Sequence, residues 1–272
     1  MSISINNNKT AFFDSGTGGL TVYAKFRQIL NTEDCIYFGD LKHMPYGSKT
    51  KEELISYCTD IFDFFKSQNV KAVVMACNTT SASAYSYLKS RYDFKIYPII
   101  QSCAEIIASQ NYKSLAVLAT ESTIKSGVYE SEIKKYAPDT KIFSQSCPKW
   151  ADIAESGRQN EEEETIKNDL DKVLIRNPEK IILGCTHYPY LIDTLSKYAE
   201  KDKFIDPADY FAKYIVEDLT RLNLLNPQTK TGSEEFYVSA DPEKFKRTSK
   251  MFYEVDKVEL KVLRPAAHTL KV

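Results

Sequence analysis

Residues 71–81 read Lys-Ala-Val-Val-Met-Ala-Cys77-Asn78-Thr79-Thr80-Ser81, an apolar run ending in a thiol, an amide and hydroxyls, after which a helical period begins. Residues 179–190, Glu-Lys-Ile-Ile-Leu-Gly-Cys185-Thr186-His187-Tyr188-Pro189-Tyr190, repeat the plan: a charged approach, an apolar run, a cysteine, a hydroxyl, and a proline that a helix's first turn accommodates. A buried strand that delivers a cysteine to a helix start, met twice, predicts an α/β chain built from two similar units.

That position has chemical consequences. A helix N-terminus carries partial positive charge and unpaired N–H groups, which favour thiolate over thiol and bind carboxylates. Each cysteine is thus poised as a base or nucleophile beside an anion site. Taken singly, either reads as well as a small buried apolar residue. Two at corresponding junctions, each followed by polar capping residues, point to function.

Working outward, apolar runs of four or five residues alternate with helical segments, as in doubly wound parallel sheets. Strands are predicted at 10–14, 35–38, 71–76, 95–99, 114–118, 141–145, 180–183 and 203–205, and helices at 19–30, 51–67, 80–91, 101–110, 122–137, 160–176, 189–200 and 208–222. The acidic run Glu161–Glu164 reads as a solvated helix start. After a loop from Asn223 to Ser233 come a strand at 234–240, a helix from Pro242 and a strand near 256–262. These last elements lack a sheet of their own, and the simplest packing returns them to the first half. The expected architecture is two doubly wound parallel-sheet α/β domains related by pseudo-symmetry, residues 1–99 plus 207–272 forming the first and 100–206 the second. Ligands bind at the carboxyl ends of strands in such sheets, so an interdomain cleft would bring the two cysteines face to face.

The 272 residues carry 36 basic and 37 acidic side chains, a net charge of -1, so neither nucleic acid nor an anionic membrane is an expected partner. A small molecule is. The polar first ten residues lack the apolar core of a signal peptide, and no apolar run approaches membrane-spanning length, which reads as a cytoplasmic protein. Six scattered cysteines (Cys35, Cys58, Cys77, Cys103, Cys147, Cys185) suit reduced thiols, and no Cys-x-x-Cys occurs. With three histidines, His43, His187 and His268, only Cys185-Thr186-His187 is locally suggestive of a metal, and no metal site is expected. No lysine stands out as a Schiff-base partner for pyridoxal, so no cofactor is expected either.

The first strand runs into Phe13-Asp14-Ser15-Gly16-Thr17-Gly18-Gly19, whose glycines free backbone N–H groups to approach an anion, yet the run has neither P-loop nor dinucleotide spacing. A tight turn with a cap at Ser15 explains it equally well. Asp14, at a strand end, could orient a thiol or accept its proton. The second strand ends in Tyr37-Phe38-Gly39-Asp40 and leads to Pro45-Tyr46-Gly47-Ser48, a turn by composition; facing the cleft, Tyr46 would supply a hydroxyl and a flat lid. Thr120, Ser122 and Thr123 put hydroxyls at another strand end, as does Thr186. Such donors, without clustered arginines, suit an amino-acid zwitterion.

Together these segments resemble the cofactor-independent glutamate racemases of the aspartate/glutamate racemase superfamily, over all but the first nine residues and the tail after about 262. The signature parts are Phe-Asp14-Ser15-Gly-Thr-Gly-Gly-Leu, Tyr-Phe-Gly-Asp followed by Pro45-Tyr46-Gly47, Ala-Cys77-Asn78-Thr79 and Gly-Cys185-Thr186-His187-Tyr-Pro. The resemblance implies two domains with the active site between them, a homodimer, and a product, D-glutamate, used in bacterial peptidoglycan synthesis. It implies Cys77 and Cys185 as the acid/base pair, Asp14 assisting Cys77, and His187 and Glu155 assisting Cys185. It sets Asp14, Ser15, Pro45, Tyr46, Gly47, Cys77, Asn78, Thr79, Thr120, Thr123, Cys185, Thr186 and His187 around the substrate. His187 otherwise reads as a helix-start residue and Glu155 as an ordinary solvated one. The chain departs from the family where a small hydroxyl residue, Ala and Arg are usual (here Leu41, Lys42, His43), at Ala119 for a usual Gly, and at Ile99-Ile100-Gln101-Ser102 for a Val-Ile-Glu-Pro-like turn.

Racemisation takes the α-proton from one face and returns one on the other, so two groups must flank the carbon. A cysteine of unperturbed pKa about 8.5 is mostly neutral at pH 7, so one thiol is expected to be lowered by its helix end while the other stays protonated. Racemisation of aspartate or another acidic amino acid is the alternative in the same class. A non-catalytic amino-acid-binding module, which needs no opposed thiols, is the alternative from another class, and the missing Cys-x-x-Cys argues against a thiol redox protein.

Overall fold

The computed structural model describes residues 7–263; positions 1–6 and 264–272, assigned above to the first domain, lie outside the described residues. In chain order the strands are β1 (Thr10–Asp14), β2 (Cys35–Gly39), β3 (Ala72–Met75), β4 (Lys95–Pro98), β5 (Ser114–Ala119), β6 (Lys141–Ser146), β7 (Lys180–Gly184), β8 (Phe204–Ile205), β9 (Glu234–Val238) and β10 (Glu259–Leu260). They form two sheets, ordered β10-β9-β2-β1-β3-β4 and β6-β5-β7-β8, and every pairing is parallel. The stretch β2-β1-β3-β4 corresponds position by position to β6-β5-β7-β8, so β3 and β7, which lead to the two cysteines, are equivalent strands. In each sheet the chain order reverses beside the first strand, between β1 and β3 and between β5 and β7, which is where open α/β sheets bind ligands. The late elements β9 and β10 extend the first sheet beyond β2.

Because both faces of a parallel sheet are covered, neighbouring residues of one strand enter different cores. Phe12 packs with Tyr23, Phe26 and Tyr37, whereas Phe13 points the other way among Phe38, Phe62 and Phe65 of the helix Lys51–Ser67. The Phe12 core continues through the helices Ile99–Ala108 and Pro207–Arg221 to Val117, Ala119 and Ile182 of the second sheet, so one apolar interior joins the two. A third cluster, around Trp150, Leu170, Leu183 and Tyr188, covers the far face of that second sheet.

The helices differ from expectation where local chemistry intervenes. The segment expected to be helical over 122–137 is two helices, Glu121–Ser126 and Val128–Lys134, broken by Gly127 at φ 64. The one expected over 80–91 begins at Asn78 and is split into Asn78–Ser83 and Tyr85–Leu88. After Cys185 there is a 3-10 turn at Tyr188–Leu191 and a short helix Ile192–Leu195 in place of a long helix over 189–200. A helix at Trp150–Ser156 was not expected, although Trp150, Ile153 and Ala154 bury one face at helical spacing.

Candidate active site

Two glycine contacts set how closely the sheets face one another. A Cβ on Gly18, in the turn after β1, would lie 2.4 Å from Thr186 Oγ1 and 2.6 Å from His187 Cε1, beyond β7. A Cβ on Gly47 would lie 3.0 Å from Thr120 Cβ, beyond β5. Side chains at these positions would wedge the sheets apart. Between them lies a cavity of about 120 Å³ lined from the first sheet by Ser15, Pro45, Tyr46, Gly47, Cys77, Asn78 and Thr79 and from the second by Thr120, Cys185, Thr186 and His187. No lysine or arginine lines it among the described residues. It shares the wall residues Gly47, Ser48 and Glu121 with an outer cleft lined also by Lys49, Lys51 and Lys125.

Cys77 is the N-cap of the helix Asn78–Ser83. Asn78 is oriented by Tyr129, whose hydroxyl donates to Asn78 Oδ1 at 2.6 Å. Thr79 Oγ1 lies 2.9 Å from Thr120 Oγ1 and 3.4 Å from Thr123 Oγ1, a hydroxyl cluster that ties the sheets together. Thr123 is buried within that cluster and is not among the residues lining the cavity. Asp14 is wholly buried beside the cavity wall: Oδ1 accepts the Gly16 N–H at 2.9 Å and Oδ2 accepts the Thr186 hydroxyl at 3.3 Å. Burial raises its pKa, opposed first by the charge of His187 and then by the N–H groups of Gly16 and Gly19.

On the opposite wall Cys185 Sγ is 4.0 Å from His187 Nδ1, and the other ring nitrogen, Nε2, is 3.9 Å from Glu155 Oε2. The latter is beyond hydrogen-bond reach, and Nε2 is a buried polar atom without a hydrogen-bond partner. Glu155 stands behind His187 and does not line the cavity.

Two expectations about these groups are corrected. Neither thiol is lowered. Burial raises Cys77 to about 11, helped by the nearby Asp14 carboxylate and only partly offset by the N–H groups of Thr80 and Thr79. Cys185 is also pushed up by burial, against the N–H groups of His187 and Tyr188. Desolvation outweighs a six-residue helix end and, at Cys185, a turn. The Tyr46 hydroxyl, expected to serve the cleft, is instead committed to the buried Asp40 carboxylate, which also accepts from Ser239 Oγ at 2.6 Å and meets His43 Nδ1 at 2.8 Å. The Leu41–Met44 segment thus reaches the site in two ways: His43, stacked on Tyr57 at 3.9 Å, braces Asp40, and Met44 lines the cavity.

Sequence reasoning assigned no role to Asp40, Pro148, Ala151 or Lys244. Pro148, just past the carboxyl end of β6, and Ala151, on the helix Trp150–Ser156, enter the cavity wall, and the strand-end rule could have found the first. Nothing local marks Lys244. Among the described residues, no three His, Cys, Asp or Glu side chains group as metal ligands, and no helix is long and apolar enough to cross a membrane.

The two thiols thus stand at equivalent strand ends of two parallel sheets and line one small cavity. The chain belongs to the Asp/Glu/hydantoin racemase family, whose family model matches residues 17–215. The curated relatives it matches include glutamate racemases. It is 39% identical over 245 residues to Glutamate racemase 2 of Caldanaerobacter subterraneus subsp. tengcongensis, covering 88% of this chain and 90% of that one. To the glutamate racemase of Carboxydothermus hydrogenoformans it is 35% identical over 251 residues, covering 91% and 93%. The crystal structure of glutamate racemase from Francisella tularensis in complex with D-glutamate matches it with a TM-score of 0.89 at 31% identity, covering 97% of this chain and all of that one.

Proposed function

We infer that this chain is a glutamate racemase that interconverts L- and D-glutamate by proton transfer between two cysteines, without a cofactor or metal, in the cytoplasm, supplying D-glutamate for peptidoglycan. The observation that carries the reading is the meeting of Cys77 and Cys185, from equivalent strands of two sheets, in one cavity. The glutamate racemases it resembles support the substrate.

In the reaction one cysteine, as thiolate, takes the α-proton and becomes a thiol. The resulting carbanion takes the proton of the opposite thiol, which is left as thiolate, so the two cysteines exchange states in each turnover. Burial raises both thiols, so forming the thiolate needs a nearby positive charge. The α-ammonium group of a bound amino acid supplies the opposing charge that burial withholds. Asn78, Thr79 and neighbouring N–H groups donate to the substrate carboxylate, a role supported by the place of both residues in the cavity wall, where such bonds count for more than in water. Asp14 serves the Cys77 side, and His187 with Glu155 the Cys185 side. Ser15, Pro45, Tyr46, Gly47, Thr120 and Thr186 shape the walls around the substrate, with Thr123 fixing Thr79 and Thr120.

Residues 1–99 with 207–272 and residues 100–206 are the proposed domains, joined through the shared core, and a homodimer is the proposed assembly, which sedimentation would test. Circular dichroism with L-glutamate, D-glutamate and both aspartate enantiomers tests the activity: optical rotation should decay for the glutamates alone. Faster decay with aspartate would reassign the substrate, and no decay would leave a binding module.

A further inference from the structure

We propose that Lys244 is a positioning residue for the Cys185 half of the reaction, acting across the two sheets through Glu155 and His187. The proposal rests on the two-thiol reading above. Lys244 lies on the helix Pro242–Ser249, which follows β9 of the six-stranded sheet, whereas Glu155 and His187 belong to the four-stranded half. Its ammonium is 3.2 Å from Glu155 Oε1, and the other carboxylate oxygen is the one 3.9 Å from His187 Nε2. His187 is 4% exposed, and a buried nitrogen left without a partner is costly, so the carboxylate facing it is its natural acceptor once the gap closes by about 1 Å.

The same C-terminal segment grips the turn after Cys185 at a second point. Phe252 stands edge-on to His187 with ring centroids 6.1 Å apart and packs on Tyr190 at 3.9 Å, and the Tyr190 hydroxyl donates to the Met251 carbonyl at 2.9 Å. Lys244 therefore holds Glu155 where the rest of this segment already fixes His187. A carboxylate held before Nε2 favours the tautomer protonated there, leaving the Nδ1 lone pair toward Cys185 Sγ. In that state His187 takes the Cys185 thiol proton when Cys185 must become the base and returns it when Cys185 must become the acid. An ammonium that keeps Glu155 oriented thus assists only the proton transfer at Cys185.

Isotope effects in a racemase separate this role from simple structural support. The equilibrium constant is one, so Lys244→Met must lower kcat/KM equally for both enantiomers, by about fivefold for the loss of a partly exposed pair. Raising only the Cys185 barrier makes that step more limiting. With α-deuterated substrates, the primary isotope effect on kcat/KM should then rise for the enantiomer deprotonated by Cys185 and fall for the one deprotonated by Cys77. Lys244→Arg, which keeps the charge, should restore the parent isotope effects. The side chain is 42% exposed, so both variants should fold, which far-ultraviolet circular dichroism checks. Isotope effects that stay put or move together in Lys244→Met, or an arginine variant indistinguishable from the methionine one, would overturn the proposal. A parent protein inactive on glutamate would overturn the reading beneath it, a result recognisable before any substitution is made.

Discussion

At the scale of single residues, the chemistry turns on what burial does to two thiols. Acid/base groups of this kind contribute about 10²- to 10⁴-fold to rate. Cys77→Ala and Cys185→Ala should each lower racemisation by about that much while keeping the fold, because removing a buried sulfur at a strand end costs at most a few kcal/mol. Either variant racemising at near the parent rate would remove that cysteine from the mechanism. Both cysteines were legible in the sequence, since an apolar run ending in a thiol and capping residues is a local pattern. Their titration was not. The helix-end argument predicted a lowered thiol, whereas the sum of burial and the Asp14 carboxylate, a three-dimensional quantity, leaves Cys77 at about 11. The role of Tyr46 was hidden for the same reason, because its partner Asp40 is also held by Ser239, far along the chain.

At the scale of elements, the turn after β1 and the turn after β7 are built to touch. Gly18→Ala places a methyl group 2.4 Å from Thr186 Oγ1, so either the turn or the opposite sheet must move. Overpacking of this kind costs about 1–3 kcal/mol. The expected result is a raised KM and a lower melting temperature with an unchanged far-ultraviolet spectrum, and an alanine variant with parent KM would show that the sheets do not meet here when substrate binds. The strands were legible because apolar runs bounded by turns report buried parallel strands directly. Helix ends were less so: Gly127 breaks a segment whose apolar period runs on through it, and the 3-10 turn after Cys185 keeps the periodicity of a helix without its length. The helix Trp150–Ser156 was overlooked because seven residues give a weak periodic signal. It carries Glu155, which only the family resemblance singled out.

At the scale of the whole molecule, all six cysteines are buried, and burial raises every thiol above its ordinary value, Cys77 to about 11 and Cys35 to about 12. Between the unfolded and folded values the native state binds more protons than the unfolded chain, so stability is full below about pH 9 and falls as pH rises through the folded values. Thermal unfolding from pH 8 to 11 should show a steadily falling midpoint above pH 9, and a flat profile would contradict the burial of the thiols. The return of β9 and β10 to the first sheet was legible from the lack of any other partner for them, but the ion pair from Lys244 to Glu155 joins residues that no sequence pattern relates. The central claim, two bases on opposite faces, is tested most directly by running the reaction in deuterated water and following label at the α-carbon of each enantiomer from the first turnovers. Two thiols, each holding its own proton, should place deuterium in the product from the start while recovered substrate stays largely unlabelled. Equal early labelling of substrate and product would mean a single base serving both faces, and would contradict the account.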